Sequence, residues 1–509
     1  MVSVRDLVRE LGGELHGSVG TERELRDVQM DSRAVGAGDL FAALPGASVD
    51  GSRFVAQALE RGALAVLSPA RVETATGVAN WVHPRARAIA GEAAARLLGR
   101  PARDMFVVAI TGTNGKTTTA HLTGQFLGAC GRRPAVLGTA GNRLADGVLL
   151  AATHTTPDAP GLQRLLARHA QLGGDCVALE ASSHALDQDR LAGLDVSVAV
   201  FTNLTRDHLD YHGDMERYAA AKARLFQSLS NSSHAIVNAD DPAGELMAAA
   251  ARERGATVHR FSTRSRVDLS ASQLEVDSRG TRFFLEGMGI QRTGVCLPLV
   301  GRFNVENALA ALAAVLVSGA SPTHALGGLA LASSAPGRLE RVDTAGRGFT
   351  VLVDYAHTED ALRKALGVVR EGLVAEGRRR GDHGGRLICV FGCGGDRDRG
   401  KRAPMGRAAG ELADVVVLTS DNPRSEDPRA ILDQILVGTD GTPAVLSVEP
   451  DRRAAIALAL AQARPHDVVL IAGKGHETTQ TTQGVVQSFD DRAVAAELLA
   501  SETWGGVQR

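Results

Sequence analysis

Two stretches of the chain concentrate side chains able to do chemistry. Gly112, Thr113, Asn114, Gly115, Lys116, Thr117 and Thr118 follow the apolar run VVAI and precede a segment of helical periodicity. In that context a glycine turn becomes a phosphate loop. Backbone N–H groups and the helix start face the oxygens, Lys116 offsets the charge of β- and γ-phosphates, and the Thr117 hydroxyl ligates Mg²⁺. Two residues separate Gly112 from Gly115, fewer than the four of the commoner phosphate-loop pattern, so a plain strand-to-helix turn is the alternative.

Glu180 ends the run CVALE, where carboxylates of nucleotide enzymes reach a metal and where a helix cap is the ordinary occupant. The next such run ends in FTNLTRDHLDYHGDMERYAAAKARLF, which places Asn203, Asp207, His208, Asp210, His212 and Lys222 within 20 residues. Oxygen and imidazole donors in that density suit a hard cation open toward phosphate, with a polar capped loop as the alternative.

Only five of the 56 Lys and Arg side chains are lysine: Lys116, Lys222, Lys364, Lys401 and Lys474. Where Arg fills cation positions by habit, a retained Lys is a candidate for work that needs a compact ammonium or a removable proton. Lys222, flanked by alanines in a helix expected to begin near Met215, could react with CO₂ and become an anionic carbamate ligand; a salt-bridged lysine fits the sequence equally well. Lys364 reads as a solvated helix position, while His357, Lys401 and Lys474 lie in motif-like stretches without an evident role.

The elements that must position these groups alternate strand-like and helix-like, an α/β pattern with parallel sheets. The expected division is a small α/β segment over 1–102, a central phosphate-loop segment over 103–335, and a second doubly wound, Rossmann-like sheet over 336–509 with strands at TVLVDYA, RLICVFG, DVVVLTS and DVVLIAG. At about 150 residues per domain, a length of 509 agrees with three cores. The segment REGLVAEGRRRGDHGG at 370–385 reads as a surface loop. The five cysteines read as reduced and buried.

A formal net charge of -2 argues against nucleic acid as a partner, and no window approaches the ~18 apolar residues of a membrane helix. The charged opening MVSVRDLVRELGGELH lacks a secretory core, so a cytoplasmic location is expected.

TGTNGKTT, EASSHAL, FTNLTRDHLDYHG with AKARLF, GRFNVENALAA, PGRLE, DYAHTEDAL, GCGGDRDRGKR, DNPR and GKGHE follow one another in an order that resembles the Mur ligases, from Asp31 to Arg492. The resemblance implies an ATP- and Mg²⁺-dependent amide ligase of peptidoglycan precursor synthesis that adds diaminopimelate to UDP-N-acetylmuramoyl-L-Ala-D-Glu, working as a monomer. It implies Ser32 at the uridine nucleotide, and Thr155, Thr156, Ser182, Gln188 and Arg190 at the muramoyl-peptide. By the same resemblance Lys222 is a carbamylated lysine with Glu180 and His208 as Mg²⁺ ligands, beside Thr117. Asn304 and Asn307 match adenine-side contacts, and Arg338 and Asp354 match ATP contacts from the last segment.

The same likeness puts Arg397, Asp421, Asn422, Pro423, Arg424, Gly473 and Glu477 around the incoming amino acid. Diaminopimelate differs from lysine by a second carboxylate, which a planar guanidinium such as Arg424 can hold bidentately; DNPR is also an ordinary turn before a helix. A lysine-adding Mur ligase, a folylpolyglutamate synthase-like ligase and a non-ligating ATP-binding regulator are the competing readings. Ser52, Glu359 and the TTQ after GKGHE depart from the family pattern without touching a residue assigned to chemistry.

Overall fold

Runs of β-branched residues bounded by glycine turns become strands, and the apolar periodicity between them becomes helices on both sheet faces. The chain is α/β throughout. The computed structural model describes residues 2–46, 49–74, 77–152, 154–277 and 279–501. It divides into two compact units, the first of Met1–Ser262, Val267–Leu269 and Ala310–Ala325, the second of Thr263–Arg266, Ser270–Leu309 and Leu326–Arg509.

The first unit holds two α/β modules. In the N-terminal one, strands are ordered Glu14–His16, Ala79–Val82, Ala65–Ser68, Leu40–Ala42 and Val28–Gln29, with only the first antiparallel to its neighbour. Trp81 is fully buried in its core and spends its indole N–H on the Gly12 carbonyl at 2.8 Å. The central module packs against it: Arg164, on the helix Ala159–Gln171, donates to Asp27 Oδ2 and Val28 O at 3.1 and 3.0 Å.

The central parallel strands run in the order Thr257–Ser262, His234–Asn238, Val198–Phe201, Phe106–Thr111, Cys176–Glu180 and Pro134–Gly138. Phe106–Thr111, first in the chain, lies mid-sheet, so connections leave it on opposite sides. Loops diverge at such a switch point and leave a crevice at the strands' carboxyl ends. Glu180 registers with Ile110, and Thr202 donates its backbone N–H to Thr111 O, which brings three strand ends to that crevice.

In the second unit Glu340–Val342, Thr350–Asp354, Val468–Ala472, Leu387–Phe391, Val415–Leu418 and Val445–Val448 form a sheet in that order, antiparallel only at the first pair. Apolar clusters cover both faces, one around Leu366, Phe391 and Ile435, the other around Val351, Ile456 and Ile471. Strands buried on both sides read as continuous apolar runs. The segments after Asp354, Phe391, Leu418 and Ala472 emerge from the carboxyl end.

The surface loop expected over 370–385 is a correction. Glu359–Arg380 is one helix, capped by the Thr358 side chain and ended by Gly381 in the left-handed conformation. Leu362, Leu366, Val369 and Leu373 recur at helical spacing and are buried, while Arg378, Arg379 and Arg380 sit in the last turn, where a cation meets the negative end of the helix dipole. Polar composition suggested a loop; the apolar stripe beneath it decided for the helix. All five cysteines are free, but Cys296 is exposed and Cys130 half-buried, against the expectation of burial for the set.

Candidate functional site

The phosphate loop is built by close approach of two strand ends. Gly112 has φ 150°, and a Cβ there would stand 1.9 Å from Thr202 Oγ1, so no other residue fits. Thr202 Oγ1 donates to Asn114 O at 2.6 Å, and Asn203 brackets the loop by accepting from Asn114 N at 2.9 Å and donating to its carbonyl at 3.1 Å. Thr113 Oγ1 lies 3.1 Å from the Tyr218 hydroxyl and receives Thr205 N at 3.0 Å. Gly115 is left-handed at the N-cap of the helix Lys116–Ala129, with no side chain over the helix start. A helix start without a side-chain cap is the ordinary place for an anion.

Lys116 Nζ donates to Gly112 O and Thr113 O, both at 2.9 Å, and Lys222 Nζ to Gly112 O at 2.8 Å. Lys222 sits on the helix Met215–Gln227, fully buried, its ammonium 4.3 Å from the Tyr218 ring centre. Burial first, and then the charge of Lys116, push its pKa well below the lysine range. Burial also pushes the Tyr218 hydroxyl up to about 12.

Glu180 is buried and receives Thr117 Oγ1 at 3.0 Å, Thr139 N at 2.8 Å and Thr139 Oγ1 at 3.2 Å. A Cβ on Gly138 would meet Glu180 Oε1 at 2.1 Å, so the carboxylate needs glycine beside it. His208 caps the short helix Leu209–His212 in the left-handed conformation, φ 52°. For a non-glycine residue that costs about 1–3 kcal/mol, which its packing must offset. Its ring lies edge-on to His184 at 4.9 Å and near Tyr218 at 6.1 Å. Glu180 and Lys222 thus meet at the loop, through Thr117 and Gly112 respectively, and His208 adjoins it across Tyr218. Among the described residues no three His, Cys, Asp or Glu side chains are gathered for a metal.

The muramoyl-peptide candidates surround Arg190, whose guanidinium donates to Thr156 O at 2.8 Å and to Gln188 Oε1 at 2.8 Å. Thr156 Oγ1 donates to Glu180 O at 2.7 Å and receives Ser182 N at 3.2 Å; Thr155 Oγ1 receives Thr139 Oγ1 at 3.1 Å. Ser182 caps the helix Ser183–Asp187. Gln188 and Arg190 line a cleft with Met30, Arg87, His154 and Asp158, drawn from both modules of this unit. Ser32 is buried and donates to Gln57 Oε1 at 2.6 Å.

In the second unit Asn304 and Asn307 are buried on the helix Arg302–Leu316, Asn304 donating to Val300 O at 2.9 Å. Asp354 accepts Leu339 N and Ala356 N at 2.7 and 2.8 Å; burial pushes its pKa up, opposed by Arg338. Arg338 lies over the Tyr355 ring at 5.1 Å, its Nε buried without a partner. Asp421 and Asn422 are buried at the end of Val415–Leu418, Pro423 leads to Arg424 with φ 54°, and Arg424 Nη1 donates to Gly395 O at 2.8 Å. Asn422 Nδ2 donates to Glu477 Oε2 at 2.9 Å. Gly473 N donates to Asp354 O at 3.0 Å, and Arg397 is exposed.

Sequence reasoning gave no role to Lys474, which is fully buried between Asp421 and Glu477, or to Arg452 and Asp491, an ion pair with both side chains fully buried. Arg452 also donates to Ser420 O at 3.2 Å and Ala472 O at 3.0 Å, pinning the exits of two strands. No short pattern marks it, because its partners lie 20 to 39 residues away. Lys364 is exposed and pairs with Asp360 at 2.6 Å, as its helical spacing suggests.

Three family models match in chain order: Mur ligase family, catalytic domain, over 24–102; Mur ligase middle domain over 110–315; and Mur ligase, glutamate ligase domain, over 337–475. The UDP-N-acetylmuramoyl-L-alanyl-D-glutamate–2,6-diaminopimelate ligase of Chromobacterium violaceum is 45% identical over 499 residues, covering 94% of this chain and 95% of its own. The enzyme of that name from a Synechococcus species is 47% identical over 92% of this chain and 93% of its own. A solved structure of a UDP-N-acetylmuramoyl-L-alanyl-D-glutamate–2,6-diaminopimelate ligase superposes with a TM-score of 0.72 at 36% identity, covering 98% of each chain.

Proposed function

The chain belongs to the Mur ligase family, and on that premise we propose that it joins an amine of diaminopimelate to the γ-carboxylate of D-glutamate in UDP-N-acetylmuramoyl-L-Ala-D-Glu, using ATP. It is a peptidoglycan-precursor ligase, a tripeptide synthetase. The choice of amino acid rests on one observation: Arg424, its guanidinium on Gly395 O, lies two residues beyond the buried Asp421 and Asn422 at the carboxyl end of the last sheet, where Asn422 meets Glu477. Diaminopimelate carries two carboxylates and two ammonium groups, and a guanidinium with carboxylates answers both signs.

A carboxylate is a poor electrophile at neutral pH. Its oxygen attacks the γ-phosphorus of ATP, ADP leaves, and the acyl phosphate that results has a good leaving group. The amine attacks the acyl carbon, the tetrahedral intermediate collapses and phosphate departs with the C–O electron pair. The loop N–H groups bind the phosphates, and Lys116, seated on its own loop's carbonyls, turns its ammonium to them. Thr117 and Glu180, hard oxygen donors 3.0 Å apart at the loop, fit Mg²⁺, and His208 with Lys222 as a carbamate would hold a second ion. Mg²⁺ supplies positive charge where phosphate and carboxylate anions converge.

Asn304, Asn307, Arg338 and Asp354 are proposed ATP contacts. The cleft lined by Arg87, His154, Asp158, Gln188 and Arg190 suits the anionic muramoyl-peptide, with Thr155, Thr156 and Ser182 completing its contacts and Ser32 at the uridine nucleotide. Arg397, Pro423 and Gly473 join the amino-acid pocket. Segments 1–102, 103–335 and 336–509 are assigned to uridine nucleotide, ATP and amino acid. No helix of the described residues is long and apolar enough to cross a membrane. Work as a cytoplasmic monomer is part of this reading.

The test is phosphate release with ATP, Mg²⁺ and the UDP-muramoyl-dipeptide, comparing meso-diaminopimelate, its LL isomer and lysine. Release that needs both the dipeptide and a diaminopimelate isomer supports the reading; release with lysine alone overturns the pocket assignment.

A further inference from the structure

Lys474 is one of the chain's five lysines, placed two residues beyond the strand Val468–Ala472, and it is fully buried. Its Nζ donates to Asn422 Oδ1 at 3.2 Å and lies 3.5 Å from Asp421 Oδ1 and 3.6 Å from Glu477 Oε2. Three acceptors surround a group with three N–H donors.

Asn422 Oδ1 also receives Thr481 N at 3.0 Å. Two donors therefore fix which end of the amide is oxygen and turn Nδ2 toward Glu477 Oε2, 2.9 Å away. Glu477 remains about one third exposed, so the far side of this cluster opens outward. With one ammonium between two carboxylates the cluster keeps a single net negative charge; without it, two carboxylates would crowd an amide whose oxygen is held by Thr481 N alone. Three acceptors converging on a single nitrogen suit a compact ammonium, whereas a guanidinium spreads its donors over three nitrogens in a plane, which accounts for lysine here in a chain that mostly uses arginine.

We infer that Lys474 is a positioning and specificity-determining residue of the amino-acid pocket: it locks the Asn422 amide and balances Asp421 and Glu477, so that the pocket receives an ammonium group of a diamino acid beside Arg424. The inference rests on the ligase reading above. Lys474 acts through Asn422, Asp421 and Glu477 rather than on the reacting atoms.

The experiment is steady-state kinetics of full-length wild type, K474M and K474R, with separate KM values for meso-diaminopimelate, ATP and the UDP-muramoyl-dipeptide. Loss of a charged hydrogen bond predicts a KM for diaminopimelate raised roughly tenfold or more in K474M, with the other two KM values within about twofold. K474R keeps the buried charge and so serves where K474M does not fold; its KM for diaminopimelate rises as well, because charge without the compact shape does not seat Asn422. An unmoved KM for diaminopimelate in a folded variant, or an equal rise in all three KM values, overturns the inference alone. A wild type that ligates no diaminopimelate, or prefers lysine, overturns the diaminopimelate reading and this inference with it.

Discussion

Lys116 and Lys222 share one acceptor: the carbonyl of Gly112 receives both side chains, at 2.9 and 2.8 Å. One lysine belongs to the loop and the other arrives from a helix 106 positions on, so the loop carries two like charges where burial already disfavours the ammonium of Lys222. A deprotonated amine there would attack CO₂ through its lone pair and shed a proton, giving the carbamate proposed above. Ligation is expected to fall in CO₂-depleted buffer and to return with bicarbonate, and K222A is expected to be unresponsive to bicarbonate. Equal activity of wild type in both buffers would remove the carbamate from the mechanism.

Glu180 holds Thr117 and Thr139 together across the loop. Replacing it with alanine leaves a buried cavity and deprives the Thr117 hydroxyl and the Thr139 backbone N–H of their acceptor, at a stability cost of about 1–3 kcal/mol. Activity is expected to drop ~100-fold, with the Mg²⁺ optimum moved to higher concentration. Titrating Mg²⁺ against initial rate separates the two effects; an unchanged optimum would argue that Glu180 only shapes the loop.

Arg424 is held left-handed, and its Nη1 rests on the Gly395 carbonyl. R424A is expected to raise the KM for diaminopimelate by roughly 10- to 100-fold through loss of a charge-assisted contact, while the rate with lysine stays within about twofold. Competition between the two amino acids in one assay reads this directly. Equal losses for both would mean that Arg424 does not meet the second carboxylate.

Arg452 and Asp491 form a bidentate pair, Nε and Nη2 each 2.7 Å from a carboxylate oxygen. Removing one partner strands a buried charge, so R452M is expected to destabilise the second unit by about 3–5 kcal/mol. Urea unfolding followed by tryptophan-independent circular dichroism measures the loss. A shift of less than about 1 kcal/mol would show that the pair contributes little beyond its packing.

Acid sensitivity follows from two histidines. Burial, reinforced by Arg143, lowers the His121 pKa from 6.5 to about 4, and burial with Arg338 and Arg492 does the same for His476. The unfolded chain binds these protons first, so their contribution is complete above pH 6.5 and declines as pH falls toward 4. Glu426, drawn down to about 2 mainly by its hydrogen bonds from Arg402, keeps its contribution down to its ordinary value of 4.5 and loses it only below that. Thermal midpoints are expected to fall between pH 7 and pH 4.5, and less steeply in a H121Q variant; parallel curves would exclude His121 as a source.

The phosphate loop was legible because all its parts lie within a few residues and their spacing alone states the chemistry. The alternation of apolar runs and helical stripes likewise specified α/β sheets, since buried parallel strands are continuous apolar segments. DNPR and GKGHE could be recognised as motifs, yet nothing in either says that Lys474 sits between Asp421 and Glu477, because those contacts exist only once two strands lie in one sheet. Arg452 and Asp491 were invisible for the same reason. The helix Glu359–Arg380, which takes up most of the 370–385 segment, escaped because its exposed face is polar and its buried face shows only at the spacing of Leu362, Leu366, Val369 and Leu373. Local sequence determined which groups could do chemistry and which segments would form strands and helices. Tertiary structure decided which distant charges neutralise one another, because burial cost and ion-pair geometry belong to no single stretch of chain.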